Sequence, residues 1–80
     1  MTTKEKQKCE KLLDEAILSI TSAHDKFFEA EKHKKNKNNV NVEISLGIAN
    51  NHRGYAEGIY QALVVLGYKS DKMRDLEGLI

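Results

Sequence analysis

Along the first third of the chain apolar positions return every three or four residues: Cys9, Leu12, Leu13, Ala16, Ile17, Ile20, Ala23, Phe27 and Phe28. Such a stripe predicts an amphipathic helix with one buried face. Lys8, Lys11, Glu15, Asp25, Glu29 and Lys32 occupy the opposite, solvated face. Thr3 is the expected cap, with Glu5 and Glu10 at or near the positive end of the helix dipole. The pattern fades between Lys32 and Asn39, so the first helix is expected over about residues 3–34.

The run Lys34-Lys35-Asn36-Lys37-Asn38-Asn39 is polar and biased. Asparagine tolerates the left-handed backbone that tight turns require, which makes this run the tip of a hairpin, over about residues 35–42. Val40, Val42 and Ile44 alternate with polar residues like a strand, but nothing is available to pair with them, and an extended lead into the second helix is preferred. That helix is expected over about residues 43–66, with Ile44, Ile48, His52, Tyr55, Ile59, Leu63 and Leu66 as its buried stripe. A second stripe, about 100° round, holds Gly47, Asn51, Gly54, Gly58, Ala62 and Val65. Gly67 sits where a C-cap glycine belongs, and Ser70 opens a short helix over about residues 70–79, with Met73, Leu76, Leu79 and Ile80 as its apolar face.

The expected fold is therefore all-α: a single domain, residues 1–80, built as an antiparallel hairpin of two long helices plus a short C-terminal helix, packed in a homo-oligomeric bundle. Folding back about residues 38–41 would set Phe27 against His52, His24 against Tyr55, Ile20 against Ile59 and Leu13 against Leu66. The first helix would then overhang its partner at the amino-terminal end, and the short helix would cover Cys9, Leu12 and Ala16 there.

Length sharpens this picture. Eighty residues bury only about 60–65% of the surface of the unfolded chain, which leaves a narrow margin of stability. A single cysteine, Cys9, allows no internal disulfide and fits a reducing compartment. Dense packing or self-association is left to supply the deficit. A net charge of +1 creates no field to draw in nucleic acid or an acidic membrane. The charged start is unlike a secretory signal, and the longest uncharged helical run, Gly58 to Tyr68, is far short of the roughly 20 residues that span a bilayer. A cytoplasmic protein is expected. The absence of proline favours long helices and makes the five glycines the positions to explain.

Glycine costs about 1 kcal/mol relative to alanine inside a helix. Gly54 and Gly58, one turn apart and followed by Ala62, therefore imply either close approach of another helix or ligand, or a bend. Gly47, Asn51, Gly54, Gly58 and Ala62 are the candidate partner or oligomer interface. Asn51, Arg53 and Tyr55 could hold an anionic small molecule at a subunit seam. Lys34, Lys35 and Lys37 are the candidate nucleic-acid contacts, although no aromatic residue is interleaved with them to stack on bases. His24 and His52 could approach across the hairpin, but no i, i+4 ligand accompanies either and Cys9 lies roughly 22 Å from His24 along a helix, so no metal site is expected. Cys9 and the serines lack a matching base, no phosphate-cradling glycine loop is present, and no catalytic residue, enzyme activity or cofactor is expected.

The segment Arg53-Gly54-Tyr55-Ala56-Glu57-Gly58-Ile59-Tyr60-Gln61-Ala62-Leu63, continuing to Leu66-Gly67-Tyr68, resembles an RGxxEGIxxAL…LG second-helix pattern of small helical bacteriophage and prophage proteins. The resemblance covers about a fifth of the chain. It implies a small protein that binds host proteins, nucleic acids or defence-signalling molecules, and no activity or site residue comes with it. Three functions are expected in this order: a non-enzymatic helical interaction protein, self-associating and acting on a protein partner, as a phage-type inhibitor of host or defence machinery; an oligomeric sponge for a small anionic ligand; and a nucleic-acid-binding accessory using the lysine-rich tip. No membrane partner is expected.

Overall fold

The computed structural model describes residues 1–80 and contains three helices and no strand. These are α1 (Thr3–Lys35), α2 (Asn39–Val65) and α3 (Asp71–Leu79). α1 and α2 form the long antiparallel hairpin, and α3 lies against one side of it. The molecule measures 52 × 17 × 16 Å, with a radius of gyration of 15.1 Å. A compact globule of this length would have about 12 Å.

Local chemistry sets each helix boundary. Thr2, not Thr3, caps α1: its Oγ1 accepts from the Glu5 backbone N–H at 3.1 Å and its hydroxyl donates to Glu5 Oε1 at 2.9 Å. Thr2 is thus the N-cap, and its hydroxyl also ties down the Glu5 side chain at the third helical position. At the other end of α1 the Asn38 N–H donates to the His33 carbonyl and the Lys37 N–H to the Lys34 carbonyl, while Lys37 takes φ +58. That pair of bonds is a Schellman closure. The left-handed residue is thus a lysine rather than one of the neighbouring asparagines. Asn38 then accepts from the Asn41 N–H through Oδ1 and starts α2. The chain reverses over residues 36–38, and the expected tip of 35–42 is too long. Val40, Val42 and Ile44 are helical, not extended. α2 ends in the same closure, with Tyr68 N–H to Leu63 O, Gly67 N–H to Val64 O and Gly67 at φ +75. Ser70 caps α3.

The short turn moves the register. Ser19 donates to the His52 carbonyl at 2.9 Å, and Tyr55 reaches Glu15 at 3.4 Å. His52 therefore faces Ser19 instead of Phe27, and Tyr55 faces Glu15 instead of His24, a slip of about two helical turns. The end of α2 consequently reaches the start of α1, and no overhang is left for α3 to cover. α3 runs alongside α1 instead: Lys72 pairs with Glu10 at 2.8 Å and Asp14 at 3.0 Å, and the Leu79 carbonyl lies 3.0 Å from His24 Nε2.

The seam of the hairpin is built from small residues. On α1 the inward positions are Cys9, Leu13, Ala16, Ile20, Ala23, Phe27 and Ala30, spaced alternately by four and three, which is the heptad rhythm of a left-handed coiled coil. On α2 they are Ser45, Ala49, His52, Ala56, Ile59 and Leu63. Ala16, Ala23, Ala49, Ala56 and Leu63 are fully buried, and Ser45 nearly so. The observed register sets Ala16 level with Ala56 and Ala23 level with Ala49. Small side chains at matched heights let two helices approach closely. Only Leu13, Ile20, Leu63 and Leu76 are large and fully buried, and Leu76 is the one that α3 contributes.

This corrects the expected core of α2. The apolar spacing places Ile44, Ile48, Tyr55 and Leu66 on its inward stripe, yet all four are exposed. The buried stripe is rotated toward Ser45, Ala49 and Ala56. Leu12, expected beneath α3, is also exposed.

Candidate binding face

α3 covers one side of the hairpin and leaves the other bare. On the bare side, α2 presents Ile44, Ile48, Asn51, Tyr55, Gly58, Ala62 and Val65, again spaced by four and three, and all exposed. No charged residue interrupts this stripe. It forms a second heptad line, about 100° round α2 from the one that packs on α1.

At the carboxy-terminal end of α2 the stripe sinks into a shallow groove. Leu12 of α1 and Gly54, Tyr55, Gly58, Ile59, Ala62, Leu63 and Leu66 of α2 enclose about 410 Å³, with an almost wholly apolar lining. The glycines make it. A Cβ placed on Gly47, Gly54 or Gly58 would meet nothing within 4 Å. No part of this chain comes close to them, so an internal close contact does not explain them. α2 also runs unbroken through all three. Toward the hairpin tip the same face changes from floor to ridge, with Val40 70% and Ile44 55% exposed. Just beyond the groove a recess between the helices is lined by Glu15, Leu18, Ser19, Ser22, His52 and Tyr55.

The candidate interface residues Gly47, Asn51, Gly54, Gly58 and Ala62 thus all lie on or beside one open face. The candidate ligand trio does not converge within the chain. Asn51 and Tyr55 belong to the open face, whereas Arg53 lies on the α3 side, in a cleft with Ile20, His24, Phe27, Leu79 and Ile80. There its guanidinium Nε donates to Glu57 at 2.9 Å.

Lys34, Lys35 and Lys37 are exposed at the tip, as a turn of this composition requires. Phe28, one turn back on α1, is 63% exposed and lies 4.9 Å from the Lys32 ammonium. The apolar spacing places Phe28 on the buried stripe of α1, and its exposure instead makes it an aromatic neighbour of the basic cluster. Its ring is already engaged by a lysine.

Groups with reactive potential are tied into packing. Cys9 is buried beside Leu13, with its Sγ 3.9 Å from Met1 Sδ. His52 sits against Ser19 and His24 against the end of α3, so the two histidines do not meet. No group of three or more His, Cys, Asp or Glu side chains lies close enough to hold a metal ion, and no helix is long and apolar enough to cross a membrane.

The strongest electrostatic cluster fastens α3. Glu10 accepts from both Lys72 and Tyr68. The hydrogen bond from Lys72, followed by that from Tyr68, holds its carboxyl below the ordinary value of 4.5. Tyr68 is pushed above 10.0 chiefly by its bond to Glu10 and then by desolvation. Lys72 is pushed above 10.5 by Glu10 and then Asp14. The cluster is a clamp between helices: every member is satisfied by another member, and it opens onto no groove of the bare face. Compared with known proteins, the chain matches no family model, no curated protein and no solved structure.

Proposed function

We propose that this is a non-catalytic helical interaction protein whose working surface is the uncharged face of α2, where a helix of a protein partner is bound. One observation carries the reading. Twelve large hydrophobic residues are exposed, against four large side chains that are fully buried, and four of those exposed on α2, Ile44, Ile48, Tyr55 and Val65, follow a heptad line with a groove at one end. Scattered single hydrophobics on a surface need no explanation, but a contiguous apolar patch marks an interaction site. A helix laid on such a face reads it through anchors at positions i, i+3, i+4 and i+7. The resemblance to small phage proteins adds a host or defence protein, inhibited by being covered, as the class of partner beyond the chain itself.

The test is site-specific photo-crosslinking in the cells from which the chain comes. A photoreactive residue at Ala62, on the groove floor, is expected to give a discrete protein adduct, and one at Lys11, on the solvated face of α1, none. Equal labelling from both positions, or no adduct from Ala62, refutes the reading.

A further inference from the structure

Resting on that reading, we infer that the occupant of the α2 face is a second copy of the chain, laid antiparallel, with the two-fold axis passing α2 near position 53. The stripe is self-complementary in that arrangement. Val40 of one copy falls opposite Leu66 of the other, Ile44 opposite Ala62, Ile48 opposite Gly58, and Asn51 opposite Tyr55. On either side of the central Asn51–Tyr55 layer a residue of the ridge meets one of the groove, and nearly the whole of α2 overlaps with its mate. Antiparallel coiled coils build their layers in this way, a from one helix meeting d from the other.

Area supports a partner of this size. A compact monomer of 9.1 kDa exposes about 4,900 Å², whereas this chain exposes 5775 Å². The excess, about 900 Å², belongs to the elongated shape as a whole, and it is of the size of the roughly 800 Å² that each partner contributes to a standard interface. Shape agrees as well. The third of the molecule nearest the tip is only two helices thick, because α3 stops near His24. Antiparallel docking therefore sets the thin end of each copy against the three-helix end of the other. The ridge made by Val40, Ile44 and Ile48 enters the groove that Gly58 and Ala62 leave open, and C2 symmetry closes the assembly at two chains.

The experiment uses the purified chain, with Cys9→Ala in every cysteine variant so that one thiol is present per chain. Light scattering across concentration is expected to show a dimer that dissociates on dilution, and to change little with salt because the stripe is uncharged. Gly58→Leu, which fills the seat of Ile48, is expected to be monomeric while keeping its helical circular dichroism, since space at this position is open within the chain. The register is read by mixing Ile48→Cys with Gly58→Cys under mild oxidation. The mixed disulfide should exceed either homodimer by about tenfold, because only the mixed pair meets the required Cα separation. A wild type that stays monomeric at all accessible concentrations overturns the dimer. A Gly58→Cys homodimer in place of the mixed disulfide overturns the antiparallel register. A crosslink from Ala62 to a different protein, with a monomeric pure chain, refutes self-association while leaving the binding face in place.

Discussion

Gly58→Ala offers the sharpest single perturbation, because its two effects have opposite signs and separate on dilution. An alanine in a helix interior is more stable than glycine by about 0.8–1 kcal/mol. That gain is normally cut by whatever the new methyl displaces, but here a Cβ would meet nothing within 4 Å. The backbone at Gly58 is ordinary helix, so no strain is added either. In a domain of 60–100 residues 1 kcal/mol moves the melting temperature by about 4–8 °C, and this is the rise expected for the monomer at the lowest measurable concentration. Gly67→Ala is the control. Its space is equally empty, but its φ of +75 is one that a side chain resists, at a cost of roughly 1–2 kcal/mol, so its melting temperature should fall. At high concentration the Gly58→Ala gain should shrink or reverse, since the methyl stands where Ile48 of a second copy would seat. The assay is thermal circular dichroism over a concentration series. A dilute Gly58→Ala variant that melts at or below wild type would refute the conclusion that this face is bare within the chain.

Three further outcomes follow from the packing and the clamp. Leu76→Ala removes the one large, fully buried side chain of α3, and a loss of about 2–5 kcal/mol, set against roughly 4–12 kcal/mol for a domain of this length, should lower the denaturant midpoint sharply and expose the α3 amides to exchange. Lys37→Gly relieves a left-handed lysine at φ +58 and should raise stability by about 1 kcal/mol in urea titrations. The docking of α3 should also depend on pH at both ends. The lowered Glu10 carboxyl contributes above its ordinary 4.5 and loses that contribution as pH falls through its folded value. The raised Tyr68 and Lys72 contribute fully below 10.0 and lose theirs as pH rises through their folded values. Amide exchange in α3 should therefore be slowest in the interval between, relative to the intrinsic rate, and Glu10→Gln should flatten both limbs.

The helices were legible in the sequence because amphipathic period, caps and turn residues act locally. Gly67 and Ser70 stand where their chemistry places them, and α1 misses its expected start and end by one residue or less. The hairpin register was not legible, because it depends on how few residues the turn consumes. A Schellman closure on a lysine followed directly by an asparagine cap shortened the tip, and each residue lost there shifts every pairing along the seam. The buried face of α2 was misread for a different reason. Size and hydrophobicity pointed to Ile44, Ile48, Tyr55 and Leu66, and burial in a single chain is usually assigned to the largest apolar residues. The glycines of α2 stood out in the sequence because glycine in a helix has a cost that some contact must offset, and that argument needs no register.

The misread face and the glycine face prove to be parts of one surface, and that is what the small seam explains. Alanines at matched heights of α1 and α2 fill the space between two close helices, so the large residues of α2 have no room inside and turn outward about a quarter-turn away. A sequence selected only for the stability of a lone hairpin would have no use for Ile44, Ile48 and Tyr55 in water, nor for three glycines in mid-helix that weaken it. Ridge and groove together, on one helix and on one heptad line, are what a surface must have if it is to receive its own copy. On the proposed reading, the stability of the fold and the binding of a partner draw on neighbouring but different residues of α2: the hairpin holds its shape with small side chains, and the large ones are left for association. Substitutions that improve the monomer along this stripe should therefore weaken the assembly, and a series of Gly58 variants of increasing side-chain size should show monomer stability and self-affinity moving in opposite directions.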